Sequence, residues 1–499
     1  MSEHRLELSP GEREALGRAA LAWALDYFDT TGEAPIYPAV TARGLLALTD
    51  ERLPEEPQPI SDVMDQFAEL AALGRKNGHP RMFGYVQSSG SFAGVAADFL
   101  ASALNQNVTS WRSAPSATAV EHLVIDWLKA MVGFDPAATG LLLSGGSFAN
   151  FAGLAVALRA STDIDINQKG VAALPGPPRI YTSAMTHMST PKAAAMLGLG
   201  RDAIVPIPVE ASFRMDVAAL AQRIAADRAA GCHLVCVVAN AGDVNTGAID
   251  PLDAIADVCE KAGVWLHVDG SYGGLAAGAP RVDGALAALR RADSLSLDPH
   301  KWLFAPVDVG CLLVKDGKRL RQTFAQGAAY IDVIADDDMS EFAFWDHGPE
   351  LTRRFRALKI WFILKCHGAA AIRVAIDDNI GVARRLADLI DASNDFERLA
   401  PVPLSIVCFR YLPAALRLAR RSPWAKEAGA GDHTAALNQF NRALMVEVQR
   451  DGDSYLSNAQ IGDAFALRAC IVNFRTQAAD AAHLLDTIRR VAARTSGSV

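Results

Sequence analysis

Seven short apolar runs constrain the fold of this chain more than any other feature of its sequence. Each run is closed by glycine or polar residues, and helix-like segments separate the runs. This alternation is typical of an α/β fold with a mostly parallel sheet and helices on both faces. In such sheets ligands bind beyond the carboxyl ends of the strands, so the residues that follow each run are the candidate site. The predicted strands are 140–143, 179–182, 203–207, 234–239, 264–268, 294–297 and 310–314.

The chain of 499 residues is too long for one hydrophobic core and should divide into domains. Residues 1–91 hold two helix-like stretches, at about 9–29 and 63–73, and between them a proline-rich and acidic segment that we read as extended. This part can form little core of its own and should wrap another domain or a second subunit. We predict a large domain over residues 92–378 and a small α/β domain over residues 379–499.

Composition excludes several classes of protein. The net charge is −8 and no large basic block is present, so we expect no nucleic-acid partner. The start of the chain lacks an apolar signal core, and the uncharged run 136–158 contains glycine, serine and asparagine near its centre. Seven scattered cysteines without a C-x-x-C pair fit reduced thiols. We therefore predict a soluble, cytoplasmic protein without a membrane partner.

A glycine-serine loop follows the first predicted strand. The segment 144–150, Ser-Gly-Gly-Ser-Phe-Ala-Asn, comes directly before an apolar helix-like stretch, 151–158, and contains Gly145, Gly146 and Ser147. Glycine lets the backbone approach an anion, and a helix N-terminus supplies free N–H groups and positive potential. The loop is a candidate phosphate site, although glycine-serine turns before helices are also common without one.

Two titratable residues follow later strands. His187, after the second strand, could stack on a planar ring, or it could be an ordinary hydrogen-bonded histidine. Asp269, after the fifth strand, needs a partner because an unpaired buried carboxylate is costly. A protonated pyridine nitrogen would suit it; a helix cap or a metal shared with His267 are the alternatives. No third ligand at suitable spacing favours a metal, so we predict none.

Lys301 lies between apolar runs, 32 positions after Asp269. A desolvated lysine loses its proton readily, and its amine then attacks carbonyl groups such as the aldehyde of pyridoxal 5′-phosphate (PLP). The alternative is a surface lysine whose stem packs on Trp302. Few cofactors other than PLP require an anion loop, a ring platform, a carboxylate and a reactive lysine together. The order of these four features therefore predicts PLP.

With these residues in place, the chain resembles the group II PLP-dependent decarboxylases, the family of aromatic-L-amino-acid decarboxylase and glutamate decarboxylase. The resemblance runs from about residue 80 to 476 and is densest at 298–302, Asp-Pro-His-Lys-Trp. Further matching stretches are 79–85, 115–127 with Thr118 and Glu121, 267–269, 353–359 and 467–468.

The resemblance implies PLP fold type I and a homodimer in which the N-terminal helical segment wraps the partner. It also implies that the enzyme decarboxylates an L-amino acid to the amine and carbon dioxide, with aromatic substrates favoured. It implies that Lys301 forms the Schiff base with the cofactor, that Asp269 pairs with the pyridine nitrogen, and that His187 stacks on the ring. Further cofactor contacts implied by the family are Gly146, Ser147, His300 and Asp298, the last where the aromatic enzymes usually have asparagine.

Three departures from the family pattern leave the product and substrate open. Asp243 and Val244 replace a threonine pair. Phe344 falls at or beside the place of a family loop tyrosine that helps reprotonate the carbanion left after decarboxylation, and phenylalanine there is associated with oxidative deamination to an aldehyde. Tyr330 or a tyrosine from elsewhere in the chain is the alternative proton donor. The remaining predicted substrate-pocket residues, less aromatic than in enzymes for dopa or tryptophan, are Tyr85, Gln87 and Ser88. An aldehyde synthase, a decarboxylase of non-aromatic amino acids and a non-catalytic scaffold are the alternative hypotheses.

Overall fold

A seven-stranded sheet forms the centre of the part of the chain that the computed structural model describes, residues 6–282, 284–326, 342–414 and 432–495. The strand order is β1-β7-β6-β5-β4-β2-β3, and β7 alone runs opposite to the others. The predicted fold class is confirmed, and each predicted strand overlaps an observed one. The strands are β1 Thr139–Leu143, β2 Pro178–Ser183, β3 Ile204–Ile207, β4 His233–Asn240, β5 Trp265–Asp269, β6 Ser294–Leu297 and β7 Gly310–Val314.

Helices cover both faces of this sheet, which is why its strands read as continuous apolar runs. Along β4, Val237 and Ala239 join one hydrophobic cluster while Cys236 and Val238 join another, because successive side chains of a strand point to opposite faces. The helices up to the small sheet are α1 Pro10–Thr30, α2 Ala42–Leu48, α3 Ile60–Ala72, α4 Phe92–Leu104, α5 Pro115–Val132, α6 Gly146–Ala160, α7 Ile166–Lys169, α8 Ser189–Met196, α9 Val217–Ala229, α10 Leu252–Ala262, α11 Lys318–Phe324 and α12 Ala357–Asp391, interrupted at Gly368.

The first helices confirm one local prediction and correct another. Ser9 and Glu12 form a capping box that starts α1, as their spacing predicts. The segment 35–59, which we expected to be extended, contains α2. Thr41 caps it by accepting a hydrogen bond from Gly44 N at 3.1 Å, and the prolines flank the helix without entering it. None of the residues within α1, α2 and α3 is buried.

The C-terminal part contains a second, antiparallel sheet in the order β10-β11-β9-β8. The sequence pattern of this part predicts strands at 405–411 and 466–474 and helices at 434–450 and 479–494, and each of them overlaps an observed element. The pattern misses β8, which is only three residues long, and β10, whose alternate residues Asn458 and Gln460 are exposed. The predicted domain boundary at 378/379 falls inside α12. The elements are β8 Phe396–Arg398, β9 Ile406–Tyr411, α13 Asp432–Asp451, β10 Ser457–Ile461, β11 Ala464–Cys470 and α14 Ala478–Thr495.

Among the described helices, none has the length and apolar character needed to cross a membrane.

Candidate active site

The carboxyl ends of the central strands open onto a cavity of about 690 Å³. Because parallel strands end at one edge of the sheet, residues far apart in the sequence meet there. The predicted site residues that line this cavity are Tyr85, Gly146, Ser147, His187, Asp298, His300 and Lys301.

The glycine-serine loop forms the first turn of α6 beside this cavity. Phe148 N and Ala149 N both donate to Gly145 O, so the helix begins directly after β1 and its loop. The first N–H groups of a helix have no partner within the helix and can bind an anion. Gly146 is required by close packing, because a Cβ there would lie 2.5 Å from Ser271 Oγ and 2.8 Å from Asp298 Oδ2. The loop therefore fits a phosphate group.

Lys301 lies in a tight turn that follows β6. Lys301 N donates to Asp298 O at 2.8 Å, and Lys301 Nζ lies 3.5 Å from Asp298 Oδ2. The other oxygen of the buried Asp298 carboxylate is 2.6 Å from His300 Nδ1. Trp302 is fully buried and stacks on Tyr272 at 4.7 Å, so it anchors the turn from behind. Lys301 thus faces the cavity and not the protein surface.

Asp269 lies at the end of β5, almost fully buried, and accepts three hydrogen bonds. Its donors are Asn150 Nδ2 at 2.8 Å, Ser271 N at 3.0 Å and Ser296 Oγ at 3.2 Å. Burial alone would raise the pKa of Asp269, but the hydrogen bonds of Ser271 and the positive charge of Lys301 hold this pKa below its ordinary value. The site therefore keeps Asp269 as an anion, which suits a protonated pyridine nitrogen.

The alternative of a metal site at Asp269 is not supported by the contacts of His267. Ser294 Oγ lies 2.8 Å from His267 Nδ1, and Asn150 Oδ1 lies 3.0 Å from His267 Nε2, so both ring nitrogens are occupied. Within the described residues, no group of three or more histidine, cysteine, aspartate or glutamate side chains is arranged to hold a metal ion.

His187 is held at the cavity wall by Ser189. Ser189 N donates to His187 Nδ1 at 3.2 Å, and Ser189 Oγ lies 2.9 Å from the same nitrogen. Because Nδ1 accepts a hydrogen bond, the neutral ring carries its proton on Nε2. Burial lowers the pKa of His187, which favours this neutral form. A neutral, oriented imidazole can stack on a flat ring.

Three predicted pocket residues do not line the cavity. Gln87 accepts a hydrogen bond from Arg75 Nη2 at 3.2 Å, and Ser88 Oγ donates to His300 O at 2.6 Å, so Ser88 supports the Lys301 turn from outside the cavity. Phe344 is fully buried elsewhere, with the Arg353 guanidinium 4.0 Å from its ring centroid. Within the described protomer, Phe344 therefore does not line the cavity, because its side chain is enclosed by other residues, and its place in the substrate pocket stays a prediction. The rest of its loop, 327–341, lies outside the described residues.

Asp243, which departs from the family's threonine pair, has a structural role. Its carboxylate accepts hydrogen bonds from Asn245 N at 2.7 Å, Ala248 N at 2.8 Å and Thr246 Oγ1 at 2.5 Å, and so closes the turn after β4. Burial raises the pKa of Asp243. Its neighbour Val244 lines the cavity, so an apolar side chain forms part of the cavity wall.

Sequence reasoning missed several functional candidates. Asn150 and Ser189 contact Asp269 and His187, and Arg468 reaches the cavity from β11, where Arg468 Nη1 donates to Val244 O at 2.6 Å. The asparagine that ends the 144–150 segment was a local signal for Asn150, and Arg468 lies in one of the family-like stretches, but no pattern links either to its partner. Other cavity residues not singled out earlier include Val86, Phe148, Phe151, Lys192 and Met196.

This fold and this cavity define an enzyme of the PLP-dependent class, and comparisons with known proteins agree. The model of the pyridoxal-dependent decarboxylase conserved domain matches residues 43–412. An aromatic-L-amino-acid decarboxylase of Bacillus atrophaeus is 35% identical over 99% of this chain and 98% of its own length. A phenylacetaldehyde synthase of a Rosa hybrid cultivar is 28% identical over 93% of this chain and 90% of its own length.

Solved structures show the same likeness. Mouse CSAD matches with a TM-score of 0.90 at 27% identity, covering 97% of this chain and 99% of that chain. Oryza sativa TDC, solved with PLP and tryptamine, matches with a TM-score of 0.89 at 26% identity, covering 98% of this chain and 99% of that chain. The chain belongs to the pyridoxal-dependent decarboxylase family. It is a PLP-dependent carboxy-lyase acting on an amino acid, so the predicted family, cofactor and reaction class are confirmed.

Proposed function

We propose that this enzyme decarboxylates an aromatic L-amino acid to the corresponding amine and carbon dioxide. The observation that carries the proposal is that Lys301, His187 and the start of α6 line one cavity, while Asp269 lies behind its wall and is joined to His187 through Asn150 and Ser189. The aromatic preference rests on the 35% identical Bacillus relative and on the rings of Tyr85 and Phe148 in the cavity wall.

Each cavity group has a distinct part in holding PLP. Ser147 and the backbone N–H groups of Gly146 and Ser147 would bind the phosphate, and Lys301 Nζ would bond the aldehyde carbon. When bound, PLP supplies an electron sink for the electron pair that remains after the carboxylate leaves. Asp269, kept anionic by the hydrogen bonds of Ser271 and the charge of Lys301, would favour a proton on the pyridine nitrogen, and His187 would orient the ring by stacking.

Two further cations suit the charge of the reactants. Lys192 and Arg468 line the same cavity as Lys301. The cavity must receive two anions, the phosphate of PLP and the carboxylate of the substrate, and positive side chains lower the cost of removing these groups from water. Tyr85 and Phe148 offer apolar ring surface to the substrate side chain.

A screen of the purified, PLP-loaded chain tests the substrate and the product together. Phenylalanine, tyrosine, tryptophan, dopa, glutamate and lysine are offered separately, while amine, carbon dioxide and hydrogen peroxide are measured. Amine and carbon dioxide in equal amounts, from aromatic substrates, are expected. Turnover confined to glutamate or lysine would contradict the aromatic assignment. Lys301→Ala should abolish turnover, whereas Lys365→Ala should not, because Lys365 lies against Trp127 and Trp361 outside the cavity.

The second candidate is an aldehyde synthase, favoured by relatives of that activity at 28% identity. That reaction consumes dioxygen and water and releases the aldehyde, carbon dioxide, ammonia and hydrogen peroxide. Peroxide and ammonia formed in step with carbon dioxide would establish it, and amine without peroxide would exclude it.

We also propose a homodimer in which residues 1–91 wrap the partner, with residues 92–378 as the large domain and 379–499 as the small one. The support is the lack of buried residues within α1, α2 and α3 together with exposed apolar side chains on them. The exposed set includes Leu21, Leu25, Leu46, Leu48, Val63, Phe67 and Leu70.

Location in the cytoplasm is proposed from the seven free cysteines and is tested by cell fractionation.

A further inference from the structure

A buried chain of hydrogen bonds runs behind the cofactor cavity and ends on Asp269. Trp265 Nε1 donates to Ser294 Oγ at 2.9 Å, and Ser294 Oγ lies 2.8 Å from His267 Nδ1. His267 Nε2 lies 3.0 Å from Asn150 Oδ1, and Asn150 Nδ2 donates to Asp269 Oδ2 at 2.8 Å. These contacts join β5 and β6 to α6 beneath the cavity.

The direction of the chain is fixed by its chemistry. An indole N–H can only donate, so Ser294 Oγ accepts from Trp265 and its own proton is free to go to His267 Nδ1. The neutral His267 ring then carries its proton on Nε2 and donates to Asn150 Oδ1. His267 is fully buried, which lowers its pKa to about 4 and keeps the ring neutral. Successive donors therefore point toward the Asp269 carboxylate, and aligned hydrogen bonds reinforce one another.

Asn150 is the branch point of this network. Besides Asp269, its Nδ2 also donates to Ser189 Oγ at 3.1 Å, and Ser189 Oγ lies 2.9 Å from His187 Nδ1. One amide thus connects the carboxylate proposed to face the pyridine nitrogen with the histidine proposed to stack on the ring. Asn150 is 1% exposed and uses both its oxygen and its nitrogen, so its orientation is determined by its partners.

The packing of α6 independently shows that the fold is shaped around this network. Gly153 lies in the middle of α6, where glycine is less favourable than alanine. A Cβ at Gly153 would lie 2.6 Å from His267 Cε1 and 2.8 Å from His267 Nδ1. The helix therefore has no side chain where the His267 ring approaches, and this leaves His267 Nε2 beside Asn150.

We propose that Asn150 is a positioning residue that sets the orientation of Asp269 and, through Ser189, the orientation of His187. The proposal rests on the roles of Asp269 and His187 given under the proposed function. Asn150 itself need not touch the cofactor, because it acts by holding the side chains of Asp269 and His187 in their orientations. Leucine has a similar volume, but it would leave Asp269 Oδ2 without its amide donor and His267 Nε2 without its acceptor.

The test compares Asn150→Leu with Asn441→Leu. Asn441 is a matched control because it is also fully buried, and its Nδ2 donates to Tyr411 O and Leu437 O in the C-terminal part of the chain, away from the cavity. The readouts are the dissociation constant of PLP, the visible circular dichroism of the PLP-loaded protein and the thermal midpoint. N150L is expected to weaken PLP binding by about tenfold or more and to change the dichroism, since Asp269 loses its amide donor and His187 loses, through Ser189, the contact that orients it. N441L should lower the thermal midpoint and leave both cofactor readouts unchanged.

Ser189→Ala provides a milder second variant that keeps the proposal testable if N150L does not fold. It should weaken PLP binding by a few-fold and alter the dichroism. Because the two residues act in one network, the fold-loss of PLP affinity in N150L/S189A should be smaller than the product of the fold-losses in the two single variants. Unchanged cofactor readouts in S189A, or effects that multiply independently, would overturn the proposal.

Asp269→Asn separates this outcome from a failure of the proposed site. If D269N leaves PLP affinity and dichroism unchanged, the role assigned to Asp269 is wrong and the inference falls with it. If D269N changes them while N150L does not, Asp269 keeps its role and the inference alone is overturned.

Discussion

Arg353 and Glu121 form an ion pair of 2.5 Å in which both side chains are almost completely buried, at 1% and 0% exposure. Arg353 also donates to Leu142 O at 2.9 Å and to Val108 O at 2.8 Å, while Leu142 N donates to Glu121 Oε1 at 2.9 Å. The pair therefore binds both the N–H and the C=O of Leu142 in β1. This strand leads directly into the candidate phosphate loop.

Removal of Arg353 should destabilise the protein strongly. In Arg353→Met the Glu121 carboxylate would remain buried without its counter-charge, which typically costs about 3–5 kcal/mol. We expect a lower urea midpoint for R353M and partial recovery in the double variant Glu121→Met/R353M. The exposed pair of Arg18 and Glu14 is the control, because R18M should change stability by less than about 1 kcal/mol. A midpoint for R353M equal to that of R18M would contradict the expectation.

Phe344→Tyr should lower stability without changing the product. Phe344 is fully buried against His122, Phe342 and the Arg353 guanidinium, so a new hydroxyl would need a partner there or cost about 1–3 kcal/mol. Because the side chain lies outside the cavity, the ratio of amine to peroxide should equal that of the wild type. A clear shift of this ratio toward amine would show that Phe344 reaches the substrate after all.

Gly146→Ala should impair cofactor binding far more than the neighbouring Gly145→Ala. A Cβ at position 146 would collide with Ser271 Oγ and Asp298 Oδ2, whereas at position 145 the nearest atom, His300 Cε1, is 4.0 Å away. The φ of Gly145 is 166°, an extended value that alanine also adopts. Titration with PLP should show at least about a tenfold loss of affinity for G146A and less than about a twofold loss for G145A, reflecting an overpacking cost of about 1–3 kcal/mol. Equal affinities would contradict the packing argument.

Stability should depend on pH through His267. Burial lowers the pKa of His267 to about 4, so the unfolded chain takes up a proton below about pH 6.5 while the folded chain does not. The stabilisation from neutral His267 is therefore complete above pH 6.5 and is lost as the pH falls toward 4, by up to about 3 kcal/mol. Urea unfolding at several pH values should show the wild type losing stability relative to His267→Gln over this window. A constant difference between the two proteins would contradict the assignment.

Charges on the N-terminal helices should disrupt the proposed dimer. Leu46 and Leu48 of α2 are both exposed in the protomer, and burial against a partner would make glutamate at these positions costly. Light scattering at micromolar concentration is expected to give a dimer mass for the wild type and a monomer mass for the L46E/L48E variant. Val374→Glu, at an equally exposed position on α12, is the control and should remain dimeric. A dimeric L46E/L48E protein would rule out this interface.

The sequence by itself determined the sheet and the order of the reactive groups. Apolar runs and the residues that close them are local signals, so the seven strands could be read without a structure, and Lys301, Asp269 and His187 followed as residues at strand ends. The tertiary structure alone decided which side chains support them. Asn150 meets Asp269 across 119 positions, and Arg468 reaches Val244 across 224. Such contacts, like the burial of Phe344 against Arg353, depend on how helices and strands pack together, and no local periodicity encodes that packing.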